Sequence, residues 1–213
     1  MRTQDLVSRL AVDLMPVERD AVPKKLNRAL SAGLAGNAIL LVALYGFGSD
    51  MPQQMLTGMF WVRLAFPLAI IAAALKLAER LARPGAPVRL AWFATILPIA
   101  VMLLLAAAIV VATPAEYRLQ FVLGKTWWTT TASAVLLSLP SLAAVMYAMK
   151  GLAPTRLTVA GAGAGVLAGA QGLLVYSLYC SEVPLPFWSL WHVLAIGITA
   201  GIGAGLAPNY LRW

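Results

Sequence analysis

Charge is scarce in this chain. Of its 213 residues only 11% are charged, while 61% are hydrophobic. A soluble domain carries about 25% charged residues, so a soluble globular protein is excluded. A disordered tail is excluded too, because such segments need far more polar residues to stay solvated. The one cysteine, Cys180, rules out an internal disulfide and any cysteine-rich zinc site. The one histidine, His192, rules out a multi-histidine metal centre. No Asp or Glu interrupts the long apolar runs, and ion- or proton-coupled transport usually needs such a carboxylate at mid-membrane. The single His192 has no Asp or Glu at helical spacing and the one cysteine stands between apolar runs, so an enzyme is not expected, nor a metal or cofactor.

What the chain has in quantity is apolar runs long enough to cross a bilayer, which takes roughly 20 residues per helix. Six are present: Ala29 to Phe47, Phe60 to Leu77, Leu90 to Ala112, Trp127 to Met149, Leu157 to Leu178, and Phe187 to Ala207. None follows a period of two, so membrane β-strands are not indicated, and lipid offers no partner for an open backbone. The expected fold class is therefore an all-α integral membrane protein with six transmembrane helices. The first run is not read as a cleaved signal peptide. The stretch before it contains Asp5, Asp13, Glu18 and Asp20, and no small-x-small site closes it. Arg63 lies near enough to one end of the second run to snorkel towards water.

The net charge of +8 is a topology signal once its distribution is read. With the N-terminus inside, thirteen of the sixteen basic residues lie in cytoplasmic segments, leaving Arg63, Arg118 and Lys125 outside. The positive-inside rule then places both termini in the cytoplasm. Direct nucleic-acid binding drops out, since the cations are spread over loops. Trp61, Trp127, Trp128, Trp188 and Trp191 fall at outer ends of the runs, Trp92 and Trp213 at inner ends, where aromatic rings favour the headgroup zone.

The domain organisation follows: residues 1–28 as a cytoplasmic N-terminal segment, 29–207 as the transmembrane domain, and 208–213 as a short tail. The loops are too short to fold alone. In the N-terminal segment Leu6, Leu10 and Leu14 fall at i, i+4 and i+8, with Val7 and Ala11 beside them, forming one apolar face. Thr3 and Asp5 suit the helix start, and Pro16 ends the regularity. The charges are balanced, Arg2 and Arg9 against Asp5 and Asp13. A membrane-surface helix usually has a Lys- and Arg-rich polar face. A near-neutral amphipathic helix suits a groove on another protein better. Pro16 and Pro23 discourage one continuous helix into the first span.

Polar residues inside the runs are few: Asn37, Gln171, His192, Thr129, Thr130, Thr131 and several serines. A small transporter or channel would have to build its site from these. The plainer reading is that they hydrogen-bond neighbouring helices. The fifth run carries Gly161, Gly165 and Gly169, and the sixth Gly197, Gly201 and Gly205. Glycines at this spacing let helices approach closely, so the two ridges are expected to pack together. Pro67, Pro98 and Pro140 are expected to kink spans two, three and four.

Several stretches occur in a characteristic order. They are Asp5-Leu6-Val7 with Leu10-Ala11, Asp13 and Pro16-Val17, then Ala82-Arg83-Pro84-Gly85, Ser138-Leu139-Pro140, Ala153-Pro154-Thr155-Arg156, Tyr176 with Tyr179-Cys180 and Glu182, and Leu211-Arg212-Trp213. Across essentially the whole chain this set resembles the NrsF-type anti-sigma factors, bacterial six-helix membrane proteins. The resemblance implies that an extracytoplasmic-function (ECF) sigma factor is the protein partner. It would be held at the membrane through Asp5, Leu6, Leu10, Asp13, Leu14 and Pro16 and released under stress. The family pattern also has a cysteine in the fourth span. Here Thr129 to Pro140 contains none, which excludes an intramolecular thiol–disulfide switch. What is left for sensing is Cys180, with Glu182 and His192 as possible companions. Membrane lipid is the other expected partner.

Overall fold

The computed structural model describes residues 20–46, 51–83, 85–124, 126–152, 154–180 and 184–212. Among them are eight helices: α1 (Ala21–Tyr45), α2 (Met51–Gln54), α3 (Gly58–Leu81), α4 (Arg89–Ala112), α5 (Ala115–Leu123), α6 (Trp127–Lys150), α7 (Leu157–Tyr176) and α8 (Leu185–Tyr210). Six of them, all but α2 and α5, are long and apolar enough to span a membrane. The chain is thus an all-α, six-span membrane protein. The internal prolines do not break the helices: α3, α4 and α6 run through Pro67, Pro98 and Pro140.

The centre of the bundle is α7. It packs against α8, α6, α3 and α1, and 78% of its most apolar window is buried. Its residues are mostly Gly and Ala, and small side chains let four neighbours come near at once. The most hydrophobic span, α4, is the least buried, at 17%. In a bilayer lipid is as apolar as a protein core, so hydropathy marks the helix most bathed in lipid. Phe93, Leu104 and Val111 of α4 are accordingly exposed.

The glycines of α7 serve three contacts. A Cβ on Gly161 would run into the Gly203 carbonyl oxygen, and one on Gly165 into the Thr199 carbonyl oxygen, both on α8. A Cβ on Gly169 would come within 3.1 Å of Ile196 Cα. On other sides, Gly163 faces Leu81 of α3, and Gly172 would place a Cβ 2.7 Å from Ser138 Cα of α6.

For α8 the expected ridge is corrected. Gly197, Gly201 and Gly205 have nothing within 4 Å of an added Cβ and face away from the bundle. The face that meets α7 is instead Ala195, Ile196, Thr199, Gly203 and Ala207, all buried. Both faces of α8 carry small residues, and only one can be turned inward.

Two further expectations change. The connection from Thr113 to Thr126, expected as a loop, contains α5. Arg118 there donates to the Thr113 and Val111 carbonyls, at 2.9 and 3.1 Å. It thereby satisfies acceptors that the end of α4 leaves open. Trp188 is not an interfacial residue but is fully buried, with its ring 6.1 Å from that of Phe66. Trp61 and Trp128 are exposed as expected.

The two glycine sets separate in a stability test. Gly165→Leu should lower the unfolding midpoint in detergent, by about 1–3 kcal/mol or more as an overpacked contact. Gly201→Leu should leave it nearly unchanged. Equal effects of the two would contradict this packing.

Candidate functional site

The sigma-binding candidates Asp5, Leu6, Leu10, Asp13, Leu14 and Pro16 lie outside the described residues, as does Glu182. The structure does locate the point from which the N-terminal segment departs. Helix α1 starts at Ala21, eight residues before the first apolar run. Lys24, Lys25, Arg28 and Pro23 are therefore helical, not part of an extended tether. Pro23 sits in the first turn, where a missing N–H costs nothing, because the first four donors of a helix have no internal partner. Ala21, Lys24, Lys25 and Arg28 line a cleft of about 440 Å³ on one face of this end.

Helix α1 is anchored along its length, mostly to α6 and α7. At the N-terminal end, the Lys25 side chain lies over Gly151. At mid-span, a Cβ on Gly36 would be 2.9 Å from Pro140 Cβ, and one on Gly33 2.7 Å from Ser141 Oγ. At the far end, the Tyr45 hydroxyl donates to Ser133 Oγ at 2.7 Å, and its ring packs 5.0 Å from Tyr179.

The mid-span contact has a specific cause. Proline disturbs the backbone ladder around it. Here the backbone N–H of Ser141, just after Pro140, donates to Asn37 Oδ1 at 3.2 Å. The Ser141 hydroxyl in turn donates to Gln171 Oε1 at 3.1 Å. Asn37, Ser141 and Gln171 are all fully buried. So the two amides singled out for a transport site meet at one serine, joining α1, α6 and α7. The hydroxyl residues behave alike. Ser138 and Thr199 lie 3.1 Å apart across α6 and α8, and the Tyr176 hydroxyl donates to Thr130 at 3.2 Å. Thr129 and Thr131 donate back to carbonyls of Thr126 and Trp127. These groups tie helix to helix or turn to turn.

Near the other end of the bundle, Cys180 closes the turn after α7. It is buried at 4% exposure, and its backbone N–H donates to the Tyr176 carbonyl at 3.0 Å. His192 on α8 is fully buried, with its ring 6.3 Å from Tyr176 and 5.8 Å from Trp188. Neither imidazole nitrogen has a hydrogen-bond partner. Tyr176 thus stands beside both Cys180 and His192. Arg63 is within electrostatic reach of Cys180, Tyr176 and His192.

Arg63 corrects an expectation. It does not snorkel outward. It is 4% exposed, and its Nη2 donates to Gln54 Oε1 of α2 at 2.8 Å. A half-buried polar partner replaces water for part of the guanidinium. Its position near a run end had suggested solvent, and nothing in the sequence pattern pointed to Gln54. Among the described residues no group of three or more His, Cys, Asp or Glu is placed to hold a metal ion.

Six apolar spans, short connections and polar groups engaged in helix contacts are the layout of a membrane-embedded regulator with a charged N-terminal extension. The family described as "NrsF: Negative regulator of sigma F" matches residues 10–213, and the chain belongs to it. It is 36% identical over 213 residues to the probable anti-sigma-F factor NrsF of Azospira oryzae, with both chains covered completely. It is 32% identical over 216 residues to the anti-sigma-F factor NrsF of Caulobacter vibrioides, again over the whole of both chains. No solved structure matches.

Proposed function

We propose that this protein is a membrane-bound anti-sigma factor. It sequesters an ECF sigma factor at the inner membrane and so represses the genes that factor transcribes. The observation that carries this is full-length similarity to two proteins named as anti-sigma-F factors, at 36% and 32% identity.

The binding element in this reading is the N-terminal helix, about Asp5 to Met15. Its Leu6, Leu10 and Leu14 face docks in an apolar groove of the sigma factor. Asp5 and Asp13, two helical turns apart, lie towards basic residues of the partner. Pro16 ends the docking helix, and the few residues from there to Ala21 are the tether. A three-turn helix is marginal alone, so binding orders it. Changing Leu10 to a charged residue should cost on the order of 2 kcal/mol of binding, the scale of a buried anchor. A Leu10→Glu, Asp13→Arg double variant should give constitutive transcription from the sigma factor's promoters with membrane insertion unchanged. If that variant still retains the sigma factor in the membrane fraction, the N-terminal helix is not the binding element.

Both termini face the cytoplasm in this reading, supported by the charge distribution. Reporter fusions check it. A fusion at position 120, in α5, should report the periplasm, and a C-terminal fusion the cytoplasm. A cytoplasmic signal from both would overturn the topology.

Sensing is assigned to Cys180, with Glu182 and His192. Cys180 is buried with its backbone N–H on the Tyr176 carbonyl, and His192 is buried 6.3 Å from the Tyr176 ring, which supports a shared site. Thiolate and imidazole are ligands that soft metals prefer, and a thiol also reacts with oxidants. Cys180→Ser should blunt induction of the sigma-dependent reporter by cadmium or by peroxide while leaving repression intact. Full induction of the variant by both agents would remove Cys180 from sensing.

A further inference from the structure

Helices α6 and α8 touch less closely than either does with α7, and a furrow runs between them on the bundle surface. One part, of about 430 Å³, is lined by residues that include Trp128, Val135, Leu139, Ile198 and Ile202. The next, of about 320 Å³, continues with Leu139, Leu142, Met146, Ile202, Leu206 and Tyr210. Leu139 and Ile202 belong to both, so the furrow is continuous along most of α6 and the second half of α8. It ends at Tyr210, in the last turn of α8, and there the chemistry changes. Lys150, the last residue of α6, holds its ammonium 5.0 Å above the centre of the Tyr210 ring. Lys150 is exposed.

We propose that this furrow seats a phospholipid of the cytoplasmic leaflet, with an acyl chain along α6 and α8 and an anionic headgroup on Lys150. Three features support a lipid over a helix of a second copy. The furrow is walled by leucine, methionine and isoleucine side chains, which conform to a string of methylenes. Close helix approach needs small residues, yet Gly197, Gly201 and Gly205 of α8 lie one position round from the Ile198, Ile202 and Leu206 stripe that borders the furrow. Among the described residues beside the furrow a cation, Lys150, stands at the Tyr210 end, where a phosphate would sit and a helix would demand nothing. The cation–π contact orients the ammonium beside the furrow instead of letting it roam. The selected class is a lipid with net negative charge, such as phosphatidylglycerol, over a zwitterionic one.

This inference rests on the topology proposed above for its choice of leaflet. Lipid retention in detergent does not depend on orientation, so a C-terminal fusion that reported the periplasm would change the leaflet and leave the binding result standing. The full-length protein, in mild detergent, is incubated with equal amounts of phosphatidylcholine and phosphatidylglycerol. Retained lipid is then counted by native mass spectrometry. Phosphatidylglycerol should be retained about fivefold in preference, the factor that about 1 kcal/mol per basic residue at an anionic surface converts to. Lys150→Gln should bring the ratio to about one, and Lys150→Arg should keep it. Ala143→Trp, at an exposed wall position, should displace both lipids, with Leu206→Trp as a second filling variant. Equal retention by the unmodified protein would overturn the proposal. So would a preference that survives Lys150→Gln, or a dimer of the chain without bound lipid.

Discussion

The bundle depends on how closely backbones can approach α7. This helix has neighbours on nearly every side, and at five glycines an added Cβ would crowd one of them, at Gly161, Gly165 and Gly172 by running into backbone. Gly161, Gly165 and Gly169 meet α8, Gly163 meets α3, and Gly172 meets α6. Inside lipid there is no hydrophobic gain from bringing apolar helices together, because the tails are as apolar as leucine. Association has to come from dispersion at short range and from hydrogen bonds. Removing side chains from one helix lets its neighbours reach that range at once. The remaining spans then need only one packing face each, and α4 can leave most of its apolar surface to lipid.

Hydrogen bonds supply the second part of the cohesion, and they follow from the cost of an unsatisfied polar group in hydrocarbon. The joint at Ser141 shows the principle. Pro140 disturbs the α6 ladder, Asn37 of α1 accepts the backbone N–H that follows it, and the serine hydroxyl reaches Gln171 of α7. Ser141 thereby joins three helices, α1, α6 and α7. Tyr45 ties the far end of α1 to α6 through Ser133, and the Lys25 side chain lies against Gly151 at the near end.

The two ends of the bundle differ in chemistry. Towards the N-terminal end of α1 are the basic turns with Lys24, Lys25 and Arg28, together with Lys150 on Tyr210. At the opposite end, aromatic rings enclose His192, and Arg63 is drawn in by Gln54. In the proposed function the first end holds the partner and the second meets the signal. The α1–α6–α7 seam is the continuous structure between them.

Much of this was legible from composition alone. Six spans, and a charged segment ahead of them, follow from where charges are absent, because each backbone in lipid must form a helix and each helix needs a minimum length. Pairing of the fifth span's glycines with the sixth span was also readable, since only glycine permits that approach. What the pattern could not decide was rotation. Helix α8 carries one ridge of small residues at Gly197, Gly201 and Gly205 and another through Thr199, Gly203 and Ala207. Periodicity describes both equally, and the fit to α7 selects the second. The same indifference hid Arg63 and Trp188. Their place near a span end suits either a headgroup or a buried site, because interface and interior both reward a side chain with an apolar body and a polar tip. Only the surrounding helices, with Gln54 beside the one and Phe66 beside the other, turned these residues inward.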